Sequence, residues 1–260
     1  MTSTAVRRHR ATGLVVLLAA LVATGFGYTA VTDSAQASAP QASQTQVQQG
    51  QQLFQEGCAT CHGLAAQGTS SGPGLIGVGA AAVDFQVSTG RMPLAAPAVQ
   101  AVRKTPVYTQ DQVAALAAYV ASLGAGPAIP SDSDISTADA NLAEGGELFR
   151  TNCAQCHNFA GKGGALSDGK FAPSLMNATP REMFEAMLTG PQNMPNFPNA
   201  SLPVDKKQAI IKYVEHLQSS ADPGGLALGS YGPVTEGVFI WTAGIGALLL
   251  AAVWIGAKVR

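Results

Sequence analysis

The sequence predicts an all-α protein in which two tandem helical domains precede a C-terminal transmembrane helix. Three observations support this fold class. The motif C-x-x-C-H occurs twice, at residues 58–62 and 153–157, with an offset of 95 positions. A segment of helical composition containing the pair Tyr-Val closes each copy, at Tyr119 and at Tyr213. Near the C-terminus, the uncharged run 237–257 is long enough to cross a bilayer.

The composition indicates membrane segments and gives no sign of nucleic-acid binding. Hydrophobic residues make up 47% of the chain and charged residues only 12%. The mean hydropathy of +0.16 is high for a soluble protein. The formal net charge is −1, so the chain lacks the basic excess that attracts nucleic acid.

Residues 1–37 predict a signal anchor or a signal peptide. Three arginines among the first ten residues are followed by the uncharged run 11–32 and by the small-x-small sequence Ala-Gln-Ala at 35–37. The run is longer than a usual signal-peptide core, which favours an anchor, although both alternatives remain open. Either one places the rest of the chain outside the cytoplasm. The Ala-, Ser-, Gln- and Pro-rich segment 38–49 is predicted to be a linker.

The motif C-x-x-C-H is the attachment signature of c-type haem. Its two thiols add to the haem vinyl groups, and its histidine becomes the proximal ligand of the iron. The sequence therefore predicts two covalently bound haem c groups, attached through all the cysteines of the chain and ligated by two histidines: Cys58, Cys61, His62, Cys153, Cys156 and His157. A zinc site built from the four cysteines is the alternative, but zinc motifs usually place their cysteine pairs much closer together.

Two methionines that precede a proline are the predicted distal ligands. Met92 is the only methionine of the first repeat, and it lies in the sequence Arg-Met-Pro. Met194 alone repeats the Met-Pro context in the second repeat; the other three methionines there predict core packing, at Met176, Met183 and Met187. His/Met ligation fills both axial positions and raises the reduction potential, which favours electron transfer over chemistry at the iron.

Each repeat is predicted to contain a helix, the haem motif, a loop-rich middle and a closing helix. Thr109 and Gln112 are spaced as a capping box at the start of the first closing helix, 109–123, and the second is predicted over 203–217. The predicted boundaries are domain 1 at 50–126, a linker at 127–143, domain 2 at 144–222 and a linker at 223–236. Five cations could pair with haem propionates or dock a partner, although most are expected to be solvated: Arg91, Arg103, Lys104, Lys162 and Lys170.

This arrangement resembles the cytochrome c fold, so the sequence predicts two tandem cytochrome c-like haem domains. In that fold the first and last helices cross where a glycine meets an aromatic residue. The matching pairs here are Gly50 with Tyr119 and Gly145 with Tyr213. Pro73 and Pro173 resemble the proline-bearing segment that supports the proximal histidine through backbone contact.

The C-terminal run predicts a membrane anchor whose end faces the cytoplasm. Its 21 residues, 237–257, would span about 31 Å as a helix, which matches a bilayer core. Trp241 and Trp254 lie near its two ends, as in an aromatic belt, and Lys258 and Arg260 follow it. These features place the protein at the cell membrane, in contact with lipid, with the haem domains on the outer face.

Four further stretches, at 85–93, 161–166, 188–195 and 254–257, resemble the dihaem cytochrome c subunit (cytochrome cc) of actinobacterial menaquinol–cytochrome c reductases. The resemblance implies an electron-transfer subunit of a quinol–cytochrome c oxidoreductase, a translocase, with no catalysis of its own. It also implies three partners: a cytochrome b subunit, a Rieske iron–sulfur subunit and a terminal cytochrome c oxidase. A dihaem cytochrome subunit of a copper oxidase and a dihaem peroxidase remain alternatives.

Overall fold

The structure, a computed structural model, describes residues 13–25, 42–220, 228–230 and 233–258. The chain divides into two compact units, Met1–Ser43 and Gln44–Arg260. In the first unit, helix α1 (Gly13–Gly25) is apolar and exposed, and it lies inside the predicted N-terminal apolar run. The arginines before it and the small-x-small sequence at 35–37 lie outside the described residues.

The first haem-motif domain is built from four helices. They are α2 (Gln44–Gly57), α3 (Ala59–His62), α4 (Ala80–Ser88) and α5 (Gln110–Ser122). The predicted capping box at the start of α5 is confirmed, because the Thr109 hydroxyl accepts from the Gln112 backbone N–H and the Gln112 side chain accepts from the Thr109 N–H.

Helices α2 and α5 cross at Gly50, as predicted. A Cβ atom at Gly50 would lie 1.9 Å from the carbonyl oxygen of Ala115 and 2.9 Å from the Cβ of Tyr119, so the crossing requires glycine. The rings of Phe54 and Tyr119 then meet with centroids 5.3 Å apart. This tilted aromatic pair fixes the two helices against each other.

The second haem-motif domain repeats this plan with small additions. Its elements are α6 (Asp132–Ile135), α7 (Leu142–Asn152), α8 (Ala154–His157), β1 (Gly164–Ala165), β2 (Phe171–Ala172), α9 (Pro180–Thr189) and α10 (Val204–Ser219). Strands β1 and β2 form a short antiparallel ribbon, with Gly164 paired to Ala172. Helices α7 and α10 cross at Gly145, where a Cβ would lie 1.9 Å from the carbonyl oxygen of Ala209. The second predicted crossing is therefore also confirmed.

Two segments predicted as linkers contain helix. Helix α2 begins at Gln44, inside 38–49, and its Val47 packs against the core of the first domain. Helix α6 lies inside 127–143 and is capped by Ser131, while its Ile135 packs against the core of the second domain. In both places an apolar side chain in a polar stretch packs against a core, and α6 is also held by Gln208, which donates to the carbonyls of Ser133 and Asp134.

The two domains pack against each other through α4 and α9. Gln192 of the second domain accepts from the backbone N–H of Ala101 at 3.0 Å and donates to its carbonyl at 3.1 Å. Gln100 of the first domain makes the corresponding pair of hydrogen bonds with the backbone of Phe171. Each amide side chain thus binds the other domain as a neighbouring strand would.

The predicted C-terminal membrane helix is present and slightly longer than predicted. It runs over Thr235–Lys258, 24 residues with a mean hydropathy of 2.2. This span lies within three consecutive helical elements: α11 (Pro233–Phe239), a π-helical segment (Ile240–Ile245) and α12 (Gly246–Lys258). Trp241 and Trp254 are exposed, as an aromatic belt requires. A helix of this length and apolarity is able to cross a membrane.

Candidate functional site

The two cysteine motifs adopt the same turn. Cys58 follows α2, its N–H donates to the carbonyl of Phe54 at 2.8 Å, and the N–H of His62 donates back to Cys58 at 3.0 Å. Cys153 donates to Phe149 at 2.8 Å, and His157 donates to Cys153 at 2.9 Å. The aromatic residue of each helix crossing therefore anchors the first cysteine of each motif.

The thiols are free, and their surroundings suit thioethers better than metal thiolates. All four cysteines are unpaired. Burial, and secondarily Cys61, raises the pKa of Cys58 to about 11. Burial, and secondarily Cys156, raises the pKa of Cys153 to about 12. A zinc ligand is a thiolate, whose charge this apolar burial disfavours. In the described part of the chain, no three His, Cys, Asp or Glu side chains gather into a metal site.

Each motif histidine is held in the tautomer that a metal requires. The His62 Nδ1 lies 2.7 Å from the carbonyl oxygen of Pro73, and the His157 Nδ1 lies 2.9 Å from that of Pro173. A carbonyl oxygen can only accept, so each Nδ1 carries the proton and each Nε2 keeps its lone pair. Burial lowers the pKa of His157, which favours the neutral ring. The predicted backbone contact of both prolines is present in both domains.

A cavity of about 400 Å³ opens beside the second motif. Cys153, Cys156 and His157 line it together with Met194. Much of the remaining wall is apolar and includes Phe149, Leu175, Met183, Met187, Ile210 and Val214. An apolar cavity that brings two free thiols, one neutral imidazole and one thioether to the same space fits a covalently attached haem. Met183 and Met187 are 7% and 5% exposed and belong to the core, as predicted.

The first domain arranges the equivalent residues around its own core. Cys58 and Met92 pack against the same hydrophobic cluster, next to Leu75. The backbone N–H of Met92 donates to the carbonyl of Gln86 at 2.9 Å, which ties the methionine to α4. Both predicted methionines thus follow the first α-helix after the C-x-x-C-H turn of their domain, α4 or α9, and share a core with the first cysteine of their motif.

The cavity beside the second motif is also lined by residues that the sequence does not assign to it. Phe85, Arg91, Gln100 and Arg103 of the first domain line its wall. The sequence predicts only that Arg91 and Arg103 belong to a set of five cations that could pair with a haem propionate or dock a partner. Their placement depends on the docking of the two domains, and no local pattern encodes that docking. The signal that was available is the polar residue Asp84 inside the apolar stretch of α4, which marks a buried contact.

Charged residues cluster where α4 meets α9. The Arg181 guanidinium lies 3.4 Å from Asp84, and Arg103 binds Glu182 at 2.8 Å. Glu185 is fully buried, and neither of its carboxyl oxygens has a hydrogen-bond partner. Burial, with the adjacent Asp84 carboxyl second, raises the pKa of Glu185 to about 10. Burial therefore favours the protonated form of the Glu185 carboxyl over its charged form.

The comparisons with known proteins agree with this geometry. Residues 47–124 match the family model described as cytochrome c, and residues 140–214 match that of the cytochrome C oxidase, cbb3-type, subunit III. A cytochrome bc1 complex cytochrome c subunit of Corynebacterium diphtheriae is 46% identical over 96% of this chain and 95% of its own length. The subunits of the same name from Mycobacterium tuberculosis and Mycobacterium leprae are 46% and 44% identical, over 96% and 95% of this chain and 92% and 87% of their own lengths.

Proposed function

Because the chain belongs to the family of cytochrome bc1 complex cytochrome c subunits, we propose that it is the dihaem electron-transfer subunit of a quinol–cytochrome c reductase. The observation that carries this proposal is that both domains contain the same arrangement of potential haem ligands. Each domain offers a C-x-x-C-H turn whose histidine Nδ1 is tied to a proline carbonyl, with a Met-Pro methionine on the same core. Two such sites in one membrane-anchored chain form a two-step electron carrier.

We assign one haem c to each motif. Cys58 and Cys61 carry the first haem and Cys153 and Cys156 the second. The side chains that would ligate the haem iron are the motif histidine and the Met-Pro methionine of each domain: His62 with Met92, and His157 with Met194. A bound haem supplies a one-electron couple. The proline carbonyl of each domain would keep the histidine Nε2 lone pair free to bind iron, and the methionine would supply a thioether ligand. In the second domain the apolar cavity would exclude water from the haem.

The ligand sets define what the protein does not do by itself. With both axial positions filled by protein side chains, neither site leaves room for a substrate at iron. The subunit therefore contributes electron transfer to a quinol–cytochrome c oxidoreductase and has no independent catalysis. The peroxidase alternative would require an open position and a catalytic base beside it. The copper-oxidase alternative is disfavoured because the relatives that match nearly the full chain are named as subunits of the cytochrome bc1 complex.

We propose that the domains 50–126 and 144–222 lie on the outer face of the cell membrane, with the C-terminus in the cytoplasm. Lys258 ends the apolar helix on the proposed cytoplasmic side. In this position the subunit receives electrons from a Rieske iron–sulfur subunit, sits beside a cytochrome b subunit and delivers electrons to a terminal cytochrome c oxidase. The C-terminal helix contacts membrane lipid and the other membrane-spanning subunits.

The test is purification from membranes in mild detergent through a tag on this chain. We expect co-purified b-type haem and a Rieske iron–sulfur signal, together with two c-type haems per chain. The double variant C153S/C156S should retain one c-type haem, whereas the core variant Met183→Leu should retain two. Rapid peroxide turnover by the isolated protein, or the absence of b-type haem from the purified material, would overturn the proposal.

A further inference from the structure

The haem cavity of the second domain is walled in part by a buried cation from the first. Arg91 lines this cavity and is only 8% exposed. Its Cζ lies 4.6 Å from the ring centroid of Phe85, which also lines the cavity and covers one face of the guanidinium. The Arg91 Nη1 is buried and has no hydrogen-bond partner. A buried guanidinium N–H without an acceptor is costly, so the arrangement calls for an anion.

The protein supplies no free anion at this place. Glu182 is the one acidic side chain among the described residues that line the cavity. Both of its carboxylate oxygens are taken by Arg103, at 2.8 Å and 2.8 Å. Lys170, the remaining cationic side chain of the lining, donates to the amide oxygen of Asn193 at 3.1 Å. Arg91 is thus the cation of this cavity whose N–H group lacks an acceptor.

We propose that Arg91 donates a hydrogen bond from Nη1 to a propionate carboxylate of the haem in the second domain. A haem brings two carboxylates into its cavity, and a guanidinium is the side chain best shaped to bind one. The proposal rests on the attachment of that haem to Cys153 and Cys156. Since Arg91 directly precedes Met92, two consecutive residues contact the two haems, one at the iron of the first and one at the edge of the second.

A cation fixed at the haem edge acts on the second haem's potential. Its positive charge and its hydrogen bond neutralise a carboxylate that would otherwise favour the oxidised, more positive iron. Removing the cation should therefore make the second haem easier to oxidise. The first haem should respond less, because Met92 remains in place.

The experiment is a redox titration of the full-length, haem-loaded protein, with Arg91→Met and Arg91→Lys compared with wild type. Arg150→Gln, an exposed change of the same charge in the second domain, is the matched control. In the titration, the transition that belongs to the second haem is identified as the one whose midpoint potential changes in Met194→His. We expect Arg91→Met to raise the oxidised-to-reduced ratio of this haem at fixed potential at least about tenfold, equal to about 59 mV for a one-electron couple. Arg91→Lys should recover most of that change.

The outcomes separate this inference from the proposed function. A chain that carries fewer than two c-type haems contradicts the proposed haem attachment itself. Two haems with a shift in Arg91→Met no larger than in Arg150→Gln leave the attachment standing and overturn the role of Arg91. If Arg91→Met does not fold, Arg91→Gln takes its place in the titration: a shift of the second haem no larger than in Arg150→Gln would overturn the role of Arg91.

Discussion

Replacing Glu185 with glutamine should stabilise the haem-loaded protein at neutral and alkaline pH. Glu185 is buried between the domains, and its pKa is raised by burial from an ordinary value of 4.5 to about 10. In the unfolded chain the same carboxyl ionises above its ordinary pKa. Between these two values the folded state holds one proton more than the unfolded state, so stability is fully present at low pH and falls as pH rises.

The size of the effect follows from the proton linkage. Each pH unit between the two pKa values changes the free energy of unfolding by about 1.4 kcal/mol. Between pH 5 and pH 8, the Glu185 carboxyl therefore lowers the free energy of unfolding of the wild-type protein by at most about 4 kcal/mol. Glutamine has nearly the same shape, never ionises in the unfolded chain, and can donate its amide hydrogens to the buried Asp84 carboxyl.

The assay is denaturant unfolding of the full-length protein in detergent, followed by circular dichroism at several pH values from 5 to 8. The difference in unfolding free energy between Glu185→Gln and wild type should grow in favour of the variant as pH rises. Glu147→Gln removes an exposed carboxyl from α7 and should leave the wild-type slope intact. A Glu185→Gln protein with the wild-type slope, or one less stable than wild type at pH 8, would refute the assignment of a buried proton.

Three further changes test other parts of the structure. Met194→His should lower the potential of the second haem by on the order of 100 mV in a redox titration, because a thioether ligand raises the potential. Gly50→Ala should cost about 1–3 kcal/mol or more in thermal unfolding, since its Cβ would meet backbone at the helix crossing; Gln51→Ala, exposed on the same helix, should change stability by less than about 0.5 kcal/mol. A double-mutant cycle on Arg103 and Glu182 should give less than about 1 kcal/mol, because the Arg103 side chain is 47% exposed.

The parts of the fold that sequence predicts well are those set by local rules. The capping box at Thr109 needs only two side chains three residues apart, and the structure contains it. The glycines at the two helix crossings are predicted from the resemblance to the cytochrome c fold, and the structure supplies the physical reason: a Cβ would collide with the facing backbone. The carbonyl contacts of Pro73 and Pro173 repeat at the same place in both domains, so the duplication itself strengthens the prediction.

The contact between the domains could not be predicted in the same way. Helix α4 is apolar on nearly all sides, so its sequence does not indicate which face meets the second domain. Asp84 and Glu185 are each ordinary charged residues in the sequence, and only docking brings them together in a buried site. Likewise, the sequence leaves Arg91 among five cations that could pair with a haem propionate or dock a partner, and only the docked domains show which cavity it lines.

The loops that carry the proposed methionine ligands are also the loops that join the domains. The segment after α4 holds Met92 and Arg91 and then Gln100, which binds the backbone of Phe171. The segment after α9 holds Met194 and Gln192, and Gln192 binds the backbone of Ala101 at 3.0 Å and 3.1 Å. A displacement of either loop would therefore disturb a proposed iron ligand and the domain contact together. Electron transfer between two haems depends steeply on their separation. Because the same loops hold the proposed methionine ligands and the domain contact, iron ligation and haem separation depend on the same backbone.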